Sequence, residues 1–289
     1  MDYLPRALQA LKEQDLPSSE WELLVIDNAS ERPVCGMCDV SWRPNSRHVL
    51  EEKLGPVPAR LRGIRESTGS VLLFVDDDNV LQSDYLREAL RIAREWPILG
   101  VWGGHVEGVF EVEPSSEVLE YLWMLGVRSV ATVQWSNATF DNHAIPIGAG
   151  MCIRRAMARR YAELATAHPL RFKLDRRGIA LESSGDIDMA LTACDMGLGI
   201  GRFPSHLIPR QRLTDDYLFR LIEGISYSDT IVIALRQGIP AKRCRVDRLV
   251  DFYKRLKMPK LQRSLARAVA DGRTRALNDL VASTDGSAR

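Results

Sequence analysis

The chain has 289 residues, 45% hydrophobic and 27% charged, enough to bury a sizeable core in one large α/β domain or in one domain with an appendage. Its 39 Lys and Arg against 38 Asp and Glu leave a formal net charge of +1, which excludes a uniformly basic nucleic-acid binder and an acidic disordered chain. Five cysteines, an odd number in a chain too long to need a disulfide scaffold, point to a reducing, cytoplasmic compartment.

In chain order, Leu4, Ala7, Leu8 and Leu11 recur at helical spacing with Pro5 near the start, and the charged first twelve residues lack the apolar core of a secretory signal. Residues 17–19 break the helix and 23–26 read as a buried strand. Residues 28–58, rich in Pro, Ser, Asn and Arg, read as a long loop. Cys35 and Cys38 within it form a C-x-x-C with no second pair at zinc spacing, which fits ordinary loop cysteines. A helix over 60–66, a second apolar strand over 71–75 and a helix over 83–95 follow. This alternation predicts a parallel sheet covered on both faces. Residues 100–108 and 146–153 are glycine-punctuated apolar segments that fit strands bordering a cleft, while 115–127 and 154–167 fit helices. From Arg210 the pattern is helical, with Tyr217, Leu218, Leu221, Ile222 and Ile225 on one side. No apolar run reaches the roughly 18 residues that a membrane span requires.

The balanced charge conceals an asymmetry: residues 1–240 carry 26 basic and 33 acidic side chains, and residues 241–289 carry 13 and 5. In the tail, Val246, Leu249, Val250, Tyr253 and Leu256 recur on one face. That pattern fits either a helix lying on an anionic membrane surface or one packed on the body with a solvated charged side.

The densest chemistry is Asp76, Asp77, Asp78 and Asn79, directly after the apolar strand. Three adjacent carboxylates repel, so outside a solvated loop they need a cation or hydrogen-bond donors. Hard oxygen ligands at the carboxyl end of a strand suit Mg²⁺ or Mn²⁺ shared with substrate phosphates; an acidic turn capping the next helix is the other reading. Asp27 holds the equivalent place after the first strand, as a second carboxylate station on the same rim or as a turn former.

The ordered set of residues 24–30 (Leu-Val-Ile-Asp-Asn-Ala-Ser), 59–63 (Ala-Arg-Leu-Arg-Gly), 69–75 running into the aspartates, 147–151 (Ile-Gly-Ala-Gly-Met), 184–188 (Ser-Gly-Asp-Ile-Asp) and 206–209 (His-Leu-Ile-Pro) with Arg210 and Arg212 resembles the family 2 inverting glycosyltransferases of the GT-A fold. The resemblance covers about residues 1–225. It implies an α/β GT-A catalytic domain over 1–225, a mostly parallel sheet flanked by helices, and a basic helical C-terminal extension over 226–289. It further implies Mn²⁺ or Mg²⁺ on a D-x-D motif, a UDP- or GDP-sugar donor, and a glycan or lipid-linked acceptor in surface-polysaccharide synthesis.

Position by position, the resemblance implies that Asp27 accepts a hydrogen bond from the nucleobase and that Arg60 faces the donor diphosphate. Asp78 would ligate the metal, with Asp76 and Asp77 toward the ribose and a metal-bound water. Asp186 would be the general base, with Asp188 and Glu182 as competitors, or else would simply cap the helix that follows. Gly148, Ala149 and Gly150 would let backbone approach a sugar ring, with Asp188 on the sugar or acceptor, or would form a glycine-tolerant strand bend. His206 fits a further metal ligand or an ordinary partly buried histidine, and Arg210 and Arg212 fit pyrophosphate contacts or solvent-facing charges. Trp102, Trp123 and Trp135 suit sugar stacking or core packing.

Three departures stand out. Family members begin with an apolar strand ending in P-T-Y, whereas residue 4 here already enters a helix. Leu61 replaces the Asn of the A-R-N-x-G motif, and Gly185 replaces the Glu of G-E-D-x-D. A catalytically degenerate binding module is therefore an alternative to an active transferase. A sugar-phosphate nucleotidyltransferase is a weaker one, because the glycine-rich, lysine-containing loop of such enzymes is not found.

Overall fold

The computed structural model describes residues 3–110, 119, 121–127, 129–139, 141, 143–177, 180–204, 208–210, 215–239, 254, 258 and 260–286. In chain order the elements are α1 (Leu4–Lys12), β1 (Leu23–Asp27), β2 (Ser46–Leu50), α2 (Pro56–Glu66), β3 (Val71–Phe74), α3 (Tyr85–Glu95), β4 (Leu99–Gly103), β5 (Gly108–Phe110), β6 (Gln134–Ser136), β7 (Met151–Arg154), α4 (Arg155–Ala167), β8 (Asp175–Arg177), β9 (Ala180–Ser183), α5 (Gly185–Asp195), β10 (Gly199–Arg202), β11 (Ile208–Arg210), α6 (Asp215–Gln237) and α7 (Lys260–Gly286). Two compact units form: Met1–His168 with Asp186–Gln211, and Pro169–Gly185 with Arg212–Arg289. This partition and a boundary at residue 225 divide the chain differently.

In the first unit, a five-stranded sheet runs in the order β3-β7-β4-β10-β6, and β1 pairs in parallel with β2 in a separate ladder. The α/β class stands, but the sheet is mixed rather than mostly parallel. β7 runs antiparallel to both β3 and β4, and β6 antiparallel to β10, while β4 and β10 are parallel. Strand–helix alternation over the first hundred residues foreshadows parallel neighbours, yet β7, contributed from beyond residue 150, inserts between β3 and β4. β2 lies inside the stretch read as loop: Ser46-Arg47-His48-Val49-Leu50 buries only Val49, so no apolar run marks it. Of the helix expected over 115–127, Leu119 is helical, and Leu122–Leu125 form a 3₁₀ turn ended by Gly126 at φ 85°.

Alternation along the strands decides what covers each face. Leu23 and Val25 of β1 and Val71 and Leu73 of β3 share one apolar cluster with Leu8 and Leu11 of α1 and Tyr85, Ala89 and Ile92 of α3. α2 and α4 pack on each other, α2 also on β1 and α4 on β3. The half-buried Arg154, at the end of β7, donates to the carbonyls of Leu99 (2.6 Å), Ala93 (2.7 Å) and Trp96 (3.2 Å), tying β4 to the end of α3. Burial of an arginine is tolerable here because its donors meet carbonyl acceptors.

The second unit is a β8–β9 antiparallel pair against α6, with α7 packed along α6. Two ion pairs among its described residues join Arg275 to the buried Glu182 at 2.8 Å and Lys173 to Asp279 at 3.0 Å. Tyr227 donates to Asp279 at 2.7 Å. Among the described residues no helix is long and apolar enough to cross a membrane.

Candidate active site

β3 ends at Phe74, and the aspartates follow in a tight turn organised by Asn79. The Asn79 amide N–H donates to the Asp76 carbonyl (3.0 Å), its side-chain oxygen accepts from the Asp76 N–H (3.2 Å), and its side-chain NH₂ donates to Asp78 Oδ1 (3.0 Å). Asn79 is buried, Asp78 half-buried, and Asp76 and Asp77 exposed. The turn therefore aims carboxylates outward from a fixed base. Among the described residues no three His, Cys, Asp or Glu side chains converge as a complete ligand set. A hard cation that keeps its waters and takes substrate phosphate oxygens needs only one or two protein carboxylates, and this exposed cluster fits that requirement.

The β3–β7 register sets the neighbour of this turn. Phe74 lies opposite Met151, and the Gly150 N–H donates to the Phe74 carbonyl at 3.1 Å, which puts residues 148–150 beside the strand end that carries the aspartates. Gly150 sits at φ 73°, and a Cβ there would lie 2.6 Å from the Tyr85 hydroxyl, which donates to the Gly150 carbonyl at 2.5 Å. The loop is thus pinned from behind by a buried phenol, whose pKa burial drives well above its usual value.

Gly148 is the junction of the site. Its N–H donates to Asp186 Oδ2 at 2.7 Å, while Asp186 Oδ1 accepts from the Ile187 N–H at 2.8 Å. A Cβ on Gly148 would stand 3.1 Å from Arg60 Nη2, 3.3 Å from Asp186 Cβ and 3.4 Å from Asp186 Oδ2, so Arg60 and Asp186 both border the space over this glycine. Two backbone amides thus hold the Asp186 carboxylate in the first turn of α5.

Asp27 closes β1, and its two oxygens hold the next loop, accepting from the Ser30 N–H at 3.0 Å and the Val34 N–H at 2.9 Å. The Val34 amide, then that of Ser30, hold its carboxyl below the ordinary aspartate pKa, against the opposing effect of burial. Asp188 is fully buried in α5, and Glu182 is buried and bound to Arg275. Trp102 is core, whereas Trp123 and Trp135 are exposed. Arg210 lies in β11, whose backbone pairs with β5. His206 and Arg212 lie outside the described residues, as does the 246–256 face of the tail apart from Lys254. Tyr85 escaped the sequence reading, and Asn79 was read only as part of the acidic turn and not as its organiser. Asn79 was legible as the last residue of an Asp-rich turn, but Tyr85 acts through a contact 65 residues away.

The mixed sheet with carboxylate turns at its strand ends is a GT-A glycosyltransferase fold. It matches S. aureus TarS 1–349 in complex with UDP-GlcNAc with a TM-score of 0.52 at 15% identity, covering 93% of this chain and 76% of that one. It also matches the mannosyltransferase PcManGT from Pyrobaculum calidifontis in complex with GDP-Man and Mn²⁺, with a TM-score of 0.52 at 18% identity over 99% of this chain and 76% of that one. The chain belongs to glycosyl transferase family 2, whose model matches residues 1–162. The curated glycosyltransferase AglE of Haloferax volcanii is 30% identical over 78 residues, 26% of each chain. The chain thus spans about a quarter of that relative, and it covers 42% of a longer S. aureus TarS structure.

Proposed function

We propose that the protein is a metal-dependent inverting glycosyltransferase that moves a sugar from a nucleotide-diphosphate sugar to a hydroxyl of a glycan or lipid-linked acceptor in surface-polysaccharide synthesis. The observation that carries this reading is the junction at Gly148, where Arg60 and the Asp186 carboxylate both border the glycine beside the strand end bearing Asp76, Asp77 and Asp78. Two structures of the same fold, one in complex with UDP-GlcNAc and one with GDP-Man and Mn²⁺, support a nucleotide-sugar donor and a divalent metal.

In this reading Asp186 removes the proton of the acceptor hydroxyl as its oxygen attacks the anomeric carbon, and the bond from that carbon to the diphosphate breaks. Arg60 neutralises the departing diphosphate, and the glycine loop leaves room for the sugar ring. Asp78, oriented by Asn79, together with Asp76 or Asp77 would hold Mn²⁺ or Mg²⁺, which supplies charge stabilisation to the leaving group. The catalytic domain is placed over residues 1–225. The basic stretch 241–289 is placed at the cytoplasmic membrane surface, next to a lipid-linked acceptor.

Isothermal titration with UDP, GDP, UDP-GlcNAc and GDP-mannose tests the reading. Binding of at least one nucleotide is expected with Mn²⁺ and not with EDTA. Asp186→Asn is expected to keep that binding and to lower turnover about 100-fold or more. No binding of any of the four with Mn²⁺ present overturns the reading, and binding without turnover in the wild type favours a degenerate module.

A further inference from the structure

Asp175 stands opposite Ser183 across the β8–β9 pair, two residues before α5 begins. The Gly185 N–H donates to Asp175 Oδ1 at 3.2 Å, and Asp175 is only 6% exposed. A Cβ on Gly185 would lie 2.3 Å from Asp175 Oδ2, 2.5 Å from Cγ and 2.8 Å from Oδ1. The carboxylate therefore occupies the space in which a side chain at 185 would begin. Two carbon–carbon bonds at a tetrahedral angle span about 2.5 Å, so a glutamate's carboxyl carbon stands as far from its own Cβ as Asp175 Cγ stands from that vacant position. Glutamate is the residue that the G-E-D-x-D motif carries there.

We infer that Asp175 supplies, from β8, the carboxylate that the motif carries on residue 185, and that it is a positioning residue for Asp186. This rests on the reading of Asp186 as the base. The three residues before Asp186 are each tethered within their own unit. The Ser183 N–H donates to Ser228 Oγ (3.3 Å), the Ser184 N–H donates to the Leu174 carbonyl (2.9 Å) and its hydroxyl to Asp229 Oδ1 (2.5 Å), and the Gly185 N–H donates to Asp175. Of these partners, Asp175 holds the N–H of Gly185, the residue bonded to the base.

A double-mutant cycle of Asp175→Ala and Gly185→Glu tests the exchange. In the wild-type background Gly185→Glu is expected to lower the thermal midpoint by about 5 °C or more, and in the Asp175→Ala background by less than about 2 °C. Nucleoside diphosphate release from UDP-GlcNAc and GDP-mannose with Mn²⁺ gives the second readout. Asp175→Ala is expected to lower kcat about tenfold with the donor KM within about twofold, and the double variant to recover to within about threefold of wild type. Additive losses in the thermal cycle, or a double variant no faster than Asp175→Ala, overturn the inference. Asp186→Asn, measured alongside, separates the two readings. Wild-type turnover by that variant, or no turnover of either donor by the wild type, refutes the base or transferase reading, and the thermal cycle still judges the exchange.

Discussion

Asp27 commits both carboxylate oxygens to main-chain amides, and an asparagine in its place offers a single oxygen. One of the Ser30 and Val34 amides then loses its acceptor, at a cost of about 1–3 kcal/mol. The sign of the pH dependence follows from the lowered pKa of Asp27 in the folded protein. The stabilisation is fully present above the ordinary aspartate value and is lost as pH falls through it toward the lowered one. Thermal midpoints of wild type and Asp27→Asn are therefore expected to differ at pH 7 and to converge below about pH 4. A gap that stays constant down to pH 3 contradicts the assignment. The same residue shows how a strand-end aspartate read as a ligand station can also hold up the loop around it.

At the scale of elements, helix packing in the second unit rests on two glycines. A Cβ on Gly224 would lie 2.1 Å from the Leu181 carbonyl oxygen, and one on Gly272 would lie 2.1 Å from the Glu223 carbonyl oxygen. Backbone cannot yield as a side-chain tip can, so Gly272→Ala is expected to destabilise by about 3 kcal/mol. Gly36→Ala, with nothing within 4 Å, is expected to change stability by less than about 0.5 kcal/mol. Urea midpoints of the two variants compare them directly, and equal midpoints would refute the close approach. Elements marked by continuous apolar runs, β1 and β3, were legible in the sequence, as were α1, α3 and α4 from their helical spacing. β2 was not, because a strand that buries one residue in five leaves no pattern. The carboxylate stations were legible for a similar reason, since each directly follows such a run. The approach of Arg60 and Asp186 to Gly148 was not, because it depends on a register between strands 77 residues apart and on a hydrogen bond between residues 38 apart.

For the whole molecule, the +1 total combines a body with seven more acidic than basic residues and a tail with eight more basic than acidic ones. Within the tail, Arg275 is engaged with Glu182, while Arg267 is largely exposed. Reversal of Lys242, Arg243, Arg245 and Arg248 to glutamate is expected to lower co-sedimentation with phosphatidylserine vesicles several-fold at physiological salt, since each basic residue near such a surface contributes about 1 kcal/mol. Unchanged partitioning would remove the membrane placement. The second unit is assembled from two separate stretches, 169–185 and 212–289, with Glu182 and Lys173 of the first facing Arg275 and Asp279 of the second. The tail is consequently not a detachable cassette. A recombination event that exchanges it alone would strand a buried carboxylate without its cation, so hybrid genes that survive must exchange both stretches together, and substitutions in one should be inherited with compensating ones in the other.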